Sequence, residues 1–328
     1  MPPIARVRLQ GMLAKVETVY STDAVPVAGT DGVQLDNNLW ASITPDYLEK
    51  NDRPNVHTGR LSPGVSGPPS GRWAKVEVEG VLKGAGVAYA AGQKPEFHPL
   101  LLGCGYDANV TATAGSEKWT YTPKDSAQDS LTLYCYAAGS LFRVVGARGA
   151  LSLDLTAAKL GMFKMTFFGL MASGTNPSDV ALPVITYPRI SVIAPPVAGN
   201  AVLINGVGVS YNSVTLDSSA EIKEAPRGNA PGGHAGYEVT AYTEPMLKVV
   251  FDSPSKASLN PWALQEAATP FAWSAGVGTV QYNRATIAGA NGQIVSLPPK
   301  EDSGYAMVEA GIAIRSTPSL PTHTIVLD

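Results

Sequence analysis

The clearest periodic pattern in the chain runs from Trp73 to Leu82, in the sequence WAKVEVEGVL. Large or charged side chains alternate there with small or aliphatic ones at every second position. Because successive side chains of a strand point to opposite faces, this period of two predicts a β-strand with one buried face.

A first hairpin is predicted downstream, in which residues 131–136 pair with residues 141–147 across the turn AAGS. Placing Tyr134 opposite Arg143 puts the apolar residues of both strands on one face, with Thr132 on the polar side. A slip by one residue would turn every apolar side chain outward, so the hydrophobic pattern selects this register.

Residues 151–170, LSLDLTAAKLGMFKMTFFGL, predict a second hairpin, with Asp154 opposite Lys164. This register also gathers the apolar side chains on one face. The other face is polar and carries Ser152, Asp154, Thr156, Lys164 and Thr166. The two hairpins together predict a sheet with one apolar and one hydrated face.

Helical signals are few. The segment KPEFHPLLLGCG predicts a short helix that begins near Pro95, and SLNPWALQEAAT predicts another with Ser258 or Asn260 as its N-cap. Residues 3–16 fit a weak helical pattern or an extended arm.

Segments rich in Gly and Pro divide the chain. Residues 53–72 and the segment KEAPRGNAPGGHAG are long loops, and residues 173–200 contain a boundary. We therefore predict an N-terminal arm (residues 1–23) and two mainly β domains (residues 24–188 and 189–328). The order strand, long loop, strand, helix, strands recurs in both halves, although no repeat of letters accompanies it.

Composition narrows the function classes. Of the 328 residues, 16% are charged and 45% are hydrophobic, which is typical of a chain that covers much of its surface with partners. The net charge of −3 provides no basic field to hold nucleic acid. No apolar run is long enough for a signal-peptide core or a membrane-spanning helix. A soluble protein made in the cytoplasm, without a membrane partner, is the expectation.

The residues that usually carry chemistry are scattered. The four histidines lack metal-ligand spacing, and the chain has neither a nucleophile elbow nor a phosphate-binding loop. Glu77 and Glu79 share a strand face, where surface carboxylates are far commoner than an acid/base pair. Cys104 and Cys135 predict buried thiols, with a single disulfide as the alternative. We expect no catalytic residue, no metal and no cofactor.

Several phrases resemble the tail tube proteins of long-tailed bacteriophages. The first is LAKVETVYSTDAVP, with Lys15, Glu17, Tyr20, Asp23 and Pro26 at the family's positions and Ser21 in place of an expected glycine. Further phrases follow in the family's order: FHPLLLGCGY, YTP, SLTLYCY, GARGALSLDL and MTFFGL. The resemblance spans roughly residues 12–188, and the second half matches less well.

The resemblance implies a structural protein of the virion, assembled in the cytoplasm of the bacterial host. It implies a β-sandwich with a flanking short helix, whose strands complete a shared barrel in a ring. Stacked rings form the tube through which DNA and the tape-measure protein pass without specific binding, and other tail proteins join the tube ends. Two tube-like domains in tandem favour a ring of three chains with pseudo-sixfold symmetry over a hexamer.

The resemblance also places residues. The residues expected to face the lumen are Ser152, Asp154, Thr156, Lys164, Thr166, Thr132, Tyr134 and Arg143. An Asp154–Lys164 pair would neutralise one of the basic groups there. The residues expected at contacts between rings are Arg6, Arg8, Arg53, Arg60, Arg72 and Arg227.

Other functions remain open at this point. One alternative is another tail component, such as a terminator or hub. A second is a β-sandwich adhesin or carbohydrate-binding module, which would be a monomer with an exposed aromatic platform. A third is a β-sandwich glycosidase that uses Glu77 and Glu79.

Overall fold

The computed structural model describes residues 9–50, 69–171, 176–187, 192–194, 202–226, 234–302, 304–317 and 321–328. This part of the chain is mainly β, with antiparallel strand pairs and three short helices, which confirms the predicted fold class. Among the described residues, no helix is long and apolar enough to cross a membrane.

The first half contains the elements β1 (Gln10–Val16), β2 (Gly32–Val33), α1 (Leu39–Ser42), β3 (Ile43–Lys50), β4 (Pro69–Val81), α2 (His98–Gly103), β5 (Tyr106–Thr111), β6 (Lys118–Pro123), β7 (Leu131–Ala137), β8 (Ser140–Thr156), β9 (Met162–Met171) and β10 (Ser178–Asp179). The second half contains β11 (Val202–Ile204), β12 (Val207–Val209), β13 (Tyr211–Asp217), β14 (Ala220–Pro226), β15 (His234–Tyr242), β16 (Met246–Asp252), α3 (Pro261–Glu266), β17 (Phe271–Val280), β18 (Asn283–Ser296), β19 (Pro299–Asp302), β20 (Tyr305–Ile314) and β21 (Thr324–Leu327).

The strand at Trp73 and the first hairpin form as predicted. In β4 the alternate residues Ala74, Val76 and Val78 are buried. In the first hairpin, Tyr134 lies opposite Arg143. Its second strand does not end at residue 147, however. β8 continues to Thr156 through a bulge between Val145 and Arg148, so it also supplies the first strand of the second hairpin.

The predicted register of the second hairpin is wrong by two residues. Lys164 lies opposite Ser152, and Asp154 lies opposite Met162. A shift by two keeps every side chain on its predicted face, so the apolar pattern could not distinguish the two registers.

Of the two interpretations of residues 3–16, the helical one is wrong over the described part. Residues 10–16 form β1, which pairs with β7 along its whole length. The two other predicted helices are present as α2 and α3. Asn260 caps α3, because its side-chain oxygen accepts a hydrogen bond from the Ala263 N–H at 3.2 Å.

Strand pairings of the first half recur in the second. The pairs β1–β2, β1–β7, β3–β4, β4–β9, β7–β8, β8–β9 and β8–β10 correspond to β11–β12, β11–β17, β13–β16, β16–β20, β17–β18, β18–β20 and β18–β21. All of them are antiparallel, and each helix, α2 or α3, follows the corresponding strand, β4 or β16. The two halves are therefore topological repeats, although their sequences share few letters.

Hydrogen bonds also join the halves. β8 pairs with β13, and β6 pairs with β21, so strands on either side of the predicted boundary at residue 188 belong to one sheet. One hydrophobic core runs through both halves. The division into separate domains stays a prediction.

Two thiols and two histidine–tyrosine pairs are buried in this core. Cys104 and Cys135 are free and buried, as the thiol interpretation predicted, and burial raises the pKa of Cys135 to about 12. His323, next to β21, faces Tyr106 on β5, with 2.8 Å between Nε2 and the phenol oxygen. His98 on α2 likewise faces Tyr121, with 2.9 Å between Nδ1 and the phenol oxygen.

These two histidines make stability depend on pH. Burial lowers the pKa of both His98 and His323 to about 4, whereas an unfolded histidine titrates near 6.5. The unfolded chain therefore binds protons first as the pH falls, and stability decreases from about pH 6.5 down to about pH 4. For His323 the full loss in the free energy of unfolding is roughly 3 kcal/mol.

The melting temperature should therefore fall between pH 7 and pH 5. His323→Gln should reduce this dependence of the melting temperature on pH. A midpoint independent of pH in this window would contradict the assignment.

Candidate functional site

A continuous polar surface covers the side of β4, β9, β8, β13 and β16 that is turned away from the core; we call it the polar face. These strands are neighbours in that order, and residues directly opposite each other share a side. On the second hairpin, Asp154 and Lys164 are exposed, and Ser152, Thr156 and Thr166 are partly exposed. The structure thus brings these five predicted residues together on one surface.

The second half extends the polar face beyond the predicted residues. Thr215 lies opposite Asp154, and Asp217 lies opposite Ser152, across the pair β8–β13. Lys248 lies opposite Thr215 on the next strand. Sequence patterns missed these residues, because the pairing joins strands far apart along the chain.

Two of the three lysines named on the polar face, Lys164 and Lys75, are paired with carboxylates. Lys164 binds Glu79 at 2.8 Å, and Lys75 binds Glu77 at 2.5 Å. Glu79 raises the pKa of Lys164, and the hydrogen bond from Lys75 lowers the pKa of Glu77. The predicted Asp154–Lys164 pair is therefore replaced: Asp154 accepts a hydrogen bond from the Thr156 hydroxyl at 2.8 Å instead.

Glu77 and Glu79 also bear on the glycosidase alternative. Each carboxylate lies in an ion pair with a lysine on an open strand face. The hydrogen bond from Lys75 lowers the pKa of Glu77, whereas a general acid needs a raised pKa. Among the described residues, no group of three or more His, Cys, Asp and Glu side chains could hold a metal ion.

Three predicted lumen residues lie away from the open part of the polar face. Thr132 is fully buried, so its predicted lumen position is wrong: its hydroxyl donates to Glu17 at 2.9 Å. Tyr134 is partly buried and donates to Asp23 at 2.7 Å. Arg143 is partly exposed, and its backbone N–H donates to the Asn176 side chain at 3.1 Å. The chain around residues 17–24 and 176–185 packs against this end of the sheet.

Glu17, the centre of the phrase that carries the resemblance, is a buried anchor. Its carboxylate accepts four hydrogen bonds, which come from the hydroxyls of Ser130 and Thr132 and from the backbone N–H groups of Ser21 and Gly146 at 2.7–2.9 Å. Gly146 lies in the β8 bulge with a φ of 63°. One carboxylate therefore fixes the chain after β1, the start of β7 and the bulge.

Tyr20, from the same phrase, binds the second half. Its hydroxyl accepts a hydrogen bond from the Tyr237 N–H at 2.8 Å, and its ring lies 4.8 Å from the Arg148 guanidinium. Arg148 in turn donates to the carbonyl oxygens of Tyr237 and Gln128. These contacts hold the β14–β15 hairpin against β8 next to the polar face.

Of the six arginines predicted at ring contacts, the described part of the chain contains Arg72. Its guanidinium donates to the Asn176 carbonyl oxygen and lies 5.7 Å from the centre of the Tyr47 ring. Arg72 is thus engaged within the chain. Arg6, Arg8, Arg53, Arg60 and Arg227 lie outside the described residues.

In the described part of the chain, the two ends of the sheet that carries the polar face each have a strand with a single partner strand: β3 pairs with β4, and β19 pairs with β20. A strand side without a partner strand is a template for pairing with another chain.

No protein-family model matches the chain, and no curated protein matches it in sequence.

Replacing Glu17 should destabilise the folded chain. Glu17→Ala leaves four buried donors without an acceptor, and we expect a loss of on the order of 3 kcal/mol in the free energy of unfolding. Chemical denaturation measures this loss. The matched control Glu266→Ala, on the exposed side of α3, should change stability by less than about 0.5 kcal/mol. Equal effects of the two variants would show that Glu17 is not an anchor.

Proposed function

We propose that the chain is the repeating subunit of a tail tube of the long-tailed bacteriophage type, in which copies share one sheet around a hydrated bore. The observation that carries the proposal is the β8–β13 pair. It joins two topologically equivalent halves edge to edge, while the outer strands β3 and β19 each have one partner strand among the described residues.

The β8–β13 pair is a template for a joint between chains. In it, Ser152 lies opposite Asp217, and Asp154 lies opposite Thr215. β3 is the first-half counterpart of β13, since each pairs with the strand before the helix. The sequences agree at this point: Thr44-Pro45-Asp46 corresponds to Thr215-Leu216-Asp217, and each threonine lies opposite a lysine, Lys75 or Lys248.

β19 is the second-half counterpart of the end of β8. Asp154 forms the last pair of the hairpin β8–β9 with Met162, and Asp302 forms the last pair of β19–β20 with Tyr305. Asp302 therefore corresponds to Asp154, and Lys300 to Ser152. Applied between chains, the template places Lys300 of one copy opposite Asp46 of the next. Lys300 already lies 3.4 Å from Glu309 of its own chain, so contact with Asp46 would extend this ion pair across the joint.

The proposed number of chains combines the repeat with the six-unit ring that the resemblance implies. Each chain contributes two equivalent units, so three chains supply six units around the ring. This is the pseudo-sixfold ring that we favour over a ring of six chains. Closure would remove both open edges of every chain.

The chemistry of the polar face suits a lumen. Lys75 and Lys164 are neutralised by carboxylates, and Asp154 and Asp217 add negative charge. Phosphates bind tightly where cations are free to replace counterions, so the two paired lysines offer passing DNA little attraction. Lys248 is exposed, and the carboxylates of Asp154 and Asp217 on the neighbouring strands offset its charge.

Cysteine pairs across the proposed joint test the ring. In Asp46→Cys/Lys300→Cys, oxidation of the assembled protein should give covalent dimers and trimers, since the two positions lie opposite each other between chains. The native cysteines are buried and do not interfere. Asp46→Cys/Lys223→Cys, with an exposed lysine of β14, is the control and should stay monomeric. A ladder that reaches six chains would overturn the three-chain ring, and a monomer in all conditions would favour a binding module.

Charge exchange tests the same contact without new covalent bonds. Lys300→Asp or Asp46→Lys alone puts like charges opposite each other and should weaken assembly about tenfold or more. The double variant Lys300→Asp/Asp46→Lys should recover most of the loss, measured as the protein concentration at half assembly by light scattering. Additive losses in the double variant would contradict the Lys300–Asp46 contact.

A further inference from the structure

In the first half, an extended stretch of chain covers the outer sheet. Residues 180–187, the covering segment, follow β10 and lie across β1 and β2, and the Thr186 N–H donates to the Ala28 carbonyl oxygen at 2.9 Å. Ile185 packs so closely that a methyl group at Gly11 or Gly32 would lie 2.5 Å from it. Leu182 and Ile185 together reduce the exposure of Leu13 on β1 to 1%.

The second half has the same sheet in the same register. Leu13 lies opposite Gly32 on one side and Tyr134 on the other. Leu203 of β11 lies opposite Gly208 and Ser274 in the equivalent strands. Leu203 therefore occupies the place of Leu13.

No described segment covers this second position. Leu203 is 38% exposed, and an open groove of 410 Å³ lies over it. The groove is lined mainly by small and apolar residues, including Ala272, Trp273, Ala288 and Ala290.

The chain contains a second segment with the spacing of the covering segment. In the covering segment, apolar and aromatic side chains occur as Leu182-x-x-Ile185-x-Tyr187. Before β1 they occur as Ile4-x-x-Val7-x-Leu9. Leu9 is 56% exposed although it directly precedes a buried strand.

We propose that residues 4–9 of a neighbouring copy bind this groove, in the way that residues 180–187 cover its first-half counterpart. The inference rests on the proposed function, since stacked rings bring copies of the groove and of the N-terminal segment together. It makes the groove the contact that joins one ring to the next.

Mixed cysteine variants test this contact between copies. A Val7→Cys chain and an Ala290→Cys chain, carrying tags of different size, are assembled together and oxidised. We expect a heterodimer band, because only a contact between copies can produce it. A Val7→Cys chain mixed with a Val184→Cys chain is the control, since Val184 is 93% exposed on the outside of the covering segment. No heterodimer, or a crosslink found only within the double variant Val7→Cys/Ala290→Cys, overturns the proposal.

The crosslink between chains of one ring distinguishes the failure of one proposal from the failure of the other. If the Asp46–Lys300 crosslink forms and the Val7–Ala290 crosslink does not, the groove inference is wrong and the ring stands. If neither forms, both are wrong. As a second measurement, Val7→Ser should weaken ring stacking about tenfold while rings persist, whereas the matched Val184→Ser, at a side chain that is 93% exposed, should leave stacking nearly unchanged. Equal effects of these two substitutions would also overturn the groove inference.

Discussion

The pairing of sheet edges is the constraint on which the rest of this structure depends. A strand at the edge of a sheet leaves backbone donors and acceptors open, and these must meet water or another strand. Within the chain, the edges of the two equivalent halves satisfy each other at one place, where β8 pairs with β13. In the proposed ring, β3 and β19 would supply the two halves of a corresponding joint between chains. The chain already contains one copy of the contact that such an assembly needs.

The internal joint depends on a bend in β8, and the bend depends on Glu17. β8 begins beside β7 and ends beside β13, with a bulge between Val145 and Arg148. Glu17 accepts the Gly146 N–H within that bulge, and the Tyr20 ring lies against the same glycine. A bulge removes a residue from the regular ladder and turns the strand, which here carries its second part into the polar face. The phrase that resembles tail tube proteins thus has a structural explanation, as the residues that set this turn.

Local patterns predicted the parts of the fold that depend on nearby residues. The Tyr134–Arg143 register follows from alternation and a short turn, and Asn260 follows from the capping rule. A period of two could not separate registers that differ by two, so Asp154 was placed opposite the wrong partner. Thr132 could not be recognised as buried, because its hydroxyl is satisfied by Glu17, which is distant in sequence. The β8–β13 pair and the Lys164–Glu79 ion pair are equally long-range, and they decide what the polar face is.

Fusing two units in one chain changes the energetics of the proposed ring. Every contact between separate molecules must offset the loss of translational and rotational freedom on association. In a ring of six units, three joints lie within chains. Because the two halves are covalently connected, each of these joints costs only the entropy of closing a loop, not the entropy of bringing two molecules together. The remaining three joints can then be weaker than the internal one and still close the ring, which fits the short β19 and its reliance on a Lys300–Asp46 contact. Duplication also frees the halves to diverge, so that one covers its outer groove with its own chain while the other keeps the equivalent groove open for a neighbour.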